Sequence, residues 1–530
     1  MCPVGSTDAG GVTFGGRPAA FSDELLGHVS AGSLVPAFRL THCVIMVFGR
    51  TILLAGLLAT LVGPAAAQSG APRAPAPDTV RLSLTEAVTK ALAVSPEVDQ
   101  RRAQRRFATA REDQAEASRF LTDLSLNTAS SFAPGLDNVP SGVSEDRLYL
   151  DPNVTNDWSL GALRPFSRVE VVARQPLWTW GELSGNIEAA RHGVEVEDAR
   201  VEQKALEVAA RTGEIYYNVL LTQALSRLAD RTTQVVDRAK KEINRLLEEG
   251  DESVDQADLF QTRLTEEEVK RRVVEVEQNQ ATARSALRRQ LFLPEGTTVR
   301  AAAGELQPLD FTIHPDSLDY YVQLGLRNRP EVDQARAGVE AREALVDVAQ
   351  SDYYPKIGVQ ASIAQSVTLP ERPNPKNAFV GDSFMGTGTR TGVGIELDLN
   401  FGQTQAKVEQ AKAELSEVEH QQAAARQLVQ FEVEEAFRNL VIANTAVESR
   451  DRSTTISGEW LRTEQINFDL GFADTENLVK AVRADLEARA RYAEAVKQYN
   501  VAVLKLLRAT GTLTDRVQNG TLIDNTQSQN

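Results

Sequence analysis

Apolar residues recur every seven positions along two long stretches of the chain. Between Gly181 and Gly250, the residues Ile187, Val194, Val201, Val208 and Ile215 stand seven apart, and after a polar break at Thr222 the series resumes with Ala229, Val236 and Ile243. Between Gly402 and Gly471, at the same glycine-to-glycine spacing, Val408, Leu415, Val429, Ala436 and Ala443 repeat the stripe with Gln422 as its one polar interruption. Neither stretch contains proline, and each ends in a turn of glycine and acidic residues. A sustained seven-residue repeat holds one helix face against a partner and imposes a left-handed supercoil. The pattern predicts helices over 181–249 and 402–470, each roughly 100 Å long at 1.5 Å per residue. No compact domain accommodates such a helix, so the remaining elements have to cover it.

Those elements occur in the same order before and after each long helix. A helix over 84–118 starts at Ser83 with Glu86 three residues on, a capping-box spacing, and Pro96 marks a kink or restart inside it. Period-two alternation then predicts strands over 120–132 and 168–180, separated by a polar, Gly/Pro-rich loop. A return helix over 253–293 follows the first long helix, with Ser253 or Asp255 as its cap, and residues 294–316 read as an irregular linker. The plan repeats as a helix over 317–352, strands over 353–367 and 389–401, the second long helix, and a return helix over 474–511. Pro96-Glu97-Val98-Asp99-Gln100 recurs as Pro330-Glu331-Val332-Asp333-Gln334. Each return helix is too short to match a long one. Stacked end to end with an opening helix it matches, giving four helical columns and four strands per chain. Residues 68–82 read as a Pro-rich lead-in and 512–530 as a disordered polar tail.

The strands have the length and alternation of outer-membrane barrel strands. A soluble sheet packed on the helices is the plainer alternative, but the polar sides carry Asp, Glu, Lys and Arg, which a wet lumen accommodates without burying charge. Four strands cannot close a barrel, and an open edge in lipid leaves backbone groups unpaired. Several copies must then share one barrel.

Composition narrows the class further. The net charge of −16 excludes a nucleic-acid surface, which needs a basic face. Arg50, the apolar core 52–62 and Ala65-Ala66-Ala67 before Gln68 give residues 46–67 the pattern of a secretory signal. Met46 is then the expected start, and 1–45 a mis-called, disordered extension. Cys2 and Cys43 both precede that core, so the mature chain offers no disulfide, thiol nucleophile or thiolate metal site. No later apolar run is long enough for a membrane-spanning helix. His192, His314 and His420 are far apart and read as surface residues rather than metal ligands. Gly392-Val393-Gly394 sits in a strand with no helix start behind it, so it is not a phosphate loop. Glu266-Glu267-Glu268 before Lys270-Arg271-Arg272 reads as a solvated, charge-paired face. No catalytic, cofactor or metal site is expected, and the protein is not read as an enzyme.

The duplicated plan resembles the TolC family of outer-membrane efflux proteins. The resemblance rests on Ser95-Pro96-Glu97-Val98 and Arg329-Pro330-Glu331-Val332, Gln175-Pro176-Leu177 before Gly181, Tyr354-Pro355 before the third strand, and the turns at Gly250 and Gly471. It implies a mostly α chain with a membrane β-barrel portion, assembled as a homotrimer of twelve strands and twelve helical columns. The implied function is a passive exit duct of a tripartite efflux or type I secretion system in a Gram-negative outer membrane, with the helical part in the periplasm. A periplasmic adaptor would dock near Leu246, Gly250, Ser253, Phe468, Gly471 and Thr475, and an inner-membrane pump of RND, ABC or MFS type would supply the energy. Asp474 and Glu476 are the carboxylates placed for a pore constriction. Pro176, Trp178, Trp180, Tyr354, Pro355 and Phe401 would mark the junction of barrel and helices. A periplasmic coiled-coil adaptor or scaffold without a pore is the competing class; one helical hairpin and no membrane strands would characterise it.

Overall fold

A computed structural model describes residues 79–138, 155–250, 254–314, 317–370, 383–470 and 475–520, all within one compact unit. The expected extension, the signal segment, most of the lead-in, and the turn residues Ser253, Gly471 and Asp474 lie outside the described residues.

Strand β1 (Thr79–Leu82) leads into helix α1 (Leu84–Val94), where Ser83 and Glu86 form the capping box. The opening helix is broken rather than continuous. Ser95 is extended, and α2 (Pro96–Ala117) starts with proline at its first turn, where no N–H is needed. Strand β2 (Asp123–Ala133) begins later than its alternation suggests because Leu121, at φ 48°, donates its N–H to Gln175 Oε1 at 2.6 Å. Short strands β3 (Gly135–Asp137) and β4 (Thr155–Asp157) pair with each other. Strand β5 (Arg164–Trp178) precedes the long helix α3 (Glu182–Glu249), and α4 (Gln256–Gln290) returns.

Two expectations for the irregular segments are corrected. The end of the lead-in and part of the 294–316 linker form a parallel pair, β1 with β6 (Thr298–Ala301), whose backbone groups satisfy one another. The second half follows as α5 (Ser317–Asn328), α6 (Pro330–Ser351), β7 (Lys356–Thr368), β8 (Gly386–Glu396), α7 (Phe401–Asp469) and α8 (Thr475–Ala509). The expected 317–352 helix is again split before proline, with Arg329 extended. Tyr353 and Tyr354 close that helix instead of opening a strand. The tail is the second correction: Leu513–Gln518 forms helix α9, held because Leu513 and Val517 are buried.

The long helices hold their seven-residue stripes inward, every member buried or half-buried. A second row on α3 was not apparent: Gly185, His192, Ala199, Leu206, Gly213 and Leu220 are also seven apart and all buried. Helix α3 needs two such seams because α2 and α6 flank its upper part while α4 covers its lower part. Glu97 at the start of α2 pairs with Arg211 at 2.7 Å, and Gln290 at the end of α4 bonds Thr212 at 3.1 Å, so the two short helices meet end to end beside one level of α3. The end of α8 likewise meets the start of α6 beside α7. There buried Arg329 donates to Glu331 at 2.8 and 2.9 Å and to Glu432 at 2.7 Å. A buried guanidinium is tolerated only with such a full set of partners.

The main apolar core lies at this level, with Leu84, Tyr217, Leu287, Val433, Leu507 and Leu513 among its members. Asn500, fully buried on α8, clasps the linker by donating to Gln307 O at 2.9 Å and accepting from Leu309 N at 2.8 Å.

Gly511 sits at φ +73°, and a Cβ there would overlap the Asn328 carbonyl; at Gly296, φ +90°, a Cβ would meet nothing within 4 Å. Gly511→Ala is expected to cost at least about 2 kcal/mol, and Gly296→Ala only the left-handed strain of about 1 kcal/mol. Thermal melting of the two purified variants checks this. Equal losses would mean that α8 and α6 do not abut as described.

Candidate functional site: a two-faced sheet on a helical shaft

The four long strands form one antiparallel sheet in the order β2-β5-β7-β8. Its register sorts the charged side chains without exception. Asp123, Arg164, Arg168, Glu170, Arg174, Lys356, Arg390 and Glu396, every charged residue of the four strands, share one face. The other face carries Leu124, Leu126 and Phe132 from β2, Val169 and Val171 from β5, Ile357, Ile363 and Val367 from β7, and Val393 and Ile395 from β8. Many of these apolar side chains are exposed, Leu126 at 66% and Ile395 at 72%. An uncharged, solvent-exposed apolar sheet face is costly in water and suited to lipid. The sheet is open, with β2 and β8 as unpaired edges.

Strand turns to helix through two successive left-handed residues, Trp180 at φ 53° and Gly181 at φ 98°. The Trp180 indole donates to Pro355 O at 2.8 Å, stacks on Tyr354 at 4.9 Å and meets Trp178 edge-on at 5.9 Å. Pro176 and Trp178 flank a bulge, across which Trp178 pairs with Ile357. Five of the six expected junction residues are thus brought together. Phe401 stands apart, half exposed, in the first turn of α7. Beneath the charged face, Lys356 bonds Glu182 at 2.8 Å and Asp352 at 2.9 Å, and Lys407 bonds Asp352 at 3.2 Å. This charged tie braces the starts of α3 and α7 against the end of α6. The recess below it is lined by Asp123, Arg174, Glu182, Lys356 and Glu396.

At the far end Gly250, φ 74°, closes α3 beside half-buried Leu246. Asp255, not Ser253, caps α4, accepting from Ala257 N at 2.7 Å and Asp258 N at 3.0 Å. Phe468 is half-buried near the end of α7, and Thr475 begins α8. Glu476 is ion-paired with Lys480 at 2.6 Å. Glu268 of α4 and Arg483 of α8 approach to 3.7 Å, so the two hairpins run side by side.

His192 departs from its expected surface position. It is buried where α3 meets α6, beside Glu195 and Glu340. His314 stacks on Tyr320 at 4.0 Å, and His420 is on the surface. Arg329 stood in a repeated Pro-Glu-Val motif and Asn500 in none, but the buried clasp that each makes is legible only once the helices it joins are in place.

Residues 321–512 match the family model described as outer membrane efflux protein. Over that stretch the chain resembles the outer membrane efflux protein family. It is 23% identical over 399 residues to the cobalt-zinc-cadmium resistance protein CzcC of Cupriavidus metallidurans, spanning 73% of this chain and 88% of that protein. Its fold matches the outer-membrane channel OprN with TM-score 0.63 at 17% identity, covering 81% of this chain and 90% of that one. It also matches VceC of Vibrio cholerae with TM-score 0.62 at 17% identity, covering 81% and 96%. The efflux proteins of this family are transport ducts, not enzymes; they form trimers and work with adaptors and inner-membrane pumps. Its homologues are outer-membrane channels of Gram-negative bacteria.

Glu266 joins the hairpin α3–α4, bonded by Lys240 at 2.7 Å and Lys270 at 2.9 Å. Those two ammonium hydrogen bonds hold its carboxyl down to about 2. With the folded value depressed, the contribution is complete above the usual carboxylate range of about 4.5 and is lost as pH falls toward 2. Protease nicking of this hairpin should rise over that interval, and Glu266→Gln should flatten the dependence.

Proposed function

We propose that three copies of this chain, each built from a duplicated helix, β-hairpin, long helix and return helix, close a twelve-stranded outer-membrane barrel. Twelve helical columns continue it as a periplasmic tunnel. The assembly is the passive exit duct of a tripartite efflux or type I secretion system, carrying cargo from periplasm to exterior. The observation that carries this reading is the segregation of all strand charge to one face. It supplies a lipid-facing exterior and a wet interior from the same strands. The unpaired edges β2 and β8 favour closure by further copies, since an open edge in lipid costs several kcal/mol per unpaired group. Exposed Phe431, Ile442, Ile456 and Ile466 on α7 supply apolar surface for a neighbouring copy.

A periplasmic adaptor docks at the paired hairpin ends, around Leu246, Gly250, Ser253, Phe468, Gly471 and Thr475. An inner-membrane pump of RND, ABC or MFS type stands behind it. Asp474 and Glu476 border the constriction, which the adaptor opens. An adaptor or scaffold without a pore has no use for an exposed, charge-free sheet face.

The faces provide the test. Ile363→Arg places a cation on the lipid side and should cost about 2–4 kcal/mol per copy. Its neighbour Ser362→Arg points to the lumen and should be tolerated. The readout is the SDS-resistant oligomer in the outer-membrane fraction. Equal tolerance of both, or recovery of the wild type as a soluble monomer, would remove the duct reading.

A further inference from the structure

Among the described residues, His192, Glu195 and Glu340 form a cluster whose donor atoms all lie within 4.8 Å of one another. His192 and Glu195 are one turn apart on α3, and Glu340 reaches across the seam from α6. The imidazole side chain is 11% exposed, while the two glutamate side chains are 49% and 39% exposed. His192 Nδ1 lies 3.1 Å from Glu195 Oε2 and 3.2 Å from Glu340 Oε2.

One ring nitrogen carries at most one hydrogen, and the alignment allows a hydrogen bond only to Glu195. Glu340 therefore converges on the same atom with no hydrogen to accept. No lysine or arginine among the described residues bonds either carboxylate. Two carboxylates at such spacing call for a cation between them. The nearest cationic side chain, Arg191, does not supply it: its Nη2 lies 3.5 Å from the other ring nitrogen, Nε2. A metal ion meets that need. Tetrahedral bonds of 2.0–2.1 Å set ligand atoms about 3.3 Å apart, close to both measured separations. One nitrogen and two carboxylate oxygens, with solvent access for water, suit a borderline divalent ion such as Zn²⁺ or Co²⁺. The site offers too few oxygens for Ca²⁺ and no sulfur for softer ions.

We propose that His192 Nδ1, Glu195 and Glu340 bind one Zn²⁺-like cation per copy, pinning α3 to α6 roughly 15 Å below the start of the long helix. On binding, the proton of a neutral ring moves from Nδ1 to Nε2. Arg191, half exposed and held by Glu188 at 3.2 Å, turns off the ring. The site stands on its own geometry, so its failure leaves the duct reading untouched.

The test uses tag-free, full-length protein purified in detergent as the oligomer, stripped with chelator and titrated with Co²⁺ and then Zn²⁺. Wild type should take up one equivalent of Co²⁺ per chain with the visible ligand-field absorption of a four-coordinate ion, and Zn²⁺ should abolish that absorption. His192→Gln and Glu340→Gln should each weaken this binding more than about tenfold. Arg191→Ala should leave it unchanged or tighter. Metal should raise the melting temperature of wild type but not of the two site variants. If His192→Gln fails to assemble, the partly exposed Glu340→Gln alone decides. Absence of the absorption in wild type, or its persistence in Glu340→Gln, would overturn the proposal.

Discussion

A helix of 68 residues has to be covered along its whole length, and no other helix beside it is longer than about half of that. The rest of the molecule follows from this mismatch. Two short helices must abut to cover α3, and the joint leaves helix ends, with their unsatisfied N–H and C=O groups, in the interior. The structure surrounds each joint with its largest apolar cluster and its few buried polar clasps. Arg329 and Asn500 lie at that level because backbone ends and charge have to be satisfied there. The small β1–β6 ladder belongs to the same band and ties the start of the described chain to the linker.

Above that band the shaft is coupled to the sheet by charge and aromatic stacking. The tie of Lys356, Glu182, Asp352 and Lys407 joins the first residue of β7 to the starts of α3 and α7 and the end of α6. Because these groups stand beneath the charged face, the polar surface of the strands continues directly onto the helices. The duct proposed above requires such continuity, and one register held through three ladders supplies it.

The elements most legible in the sequence were those with a strict period. The stripe from Ile187 to Ile243 reads directly as a long helix, and the alternation in β8 reads as a strand. The buried row Gly185, His192, Ala199, Leu206, Gly213, Leu220 escaped the same reading because four of its six members are small or polar. Its spacing is regular, but its burial arises from close approach of a second partner, which hydropathy does not report. The break at Ser95 was visible in the proline that follows, whereas α9 was not: Leu513 and Val517 are two apolar residues in a polar tail, and only the core waiting beside them makes a helix. Of the candidate site, the aromatic junction could be read from residues next to prolines and glycines. The position of Glu340 against His192 could not, since it depends on the stagger between α3 and α6.

The bulge at Pro176–Trp178 has a consequence for the whole molecule's seating. Along β5, even-numbered residues face the charged side, and without the extra residue Trp178 would have pointed there too. Accommodating Leu177 flips the parity, so that Trp178 shares the uncharged side with Ile357. A single out-of-step residue thereby sends an indole outward at the rim of the sheet, the height at which amphipathic rings prefer the boundary between hydrocarbon and water. For the cylinder proposed above, the depth to which it sinks is in this sense written as an interruption of rhythm rather than as a motif.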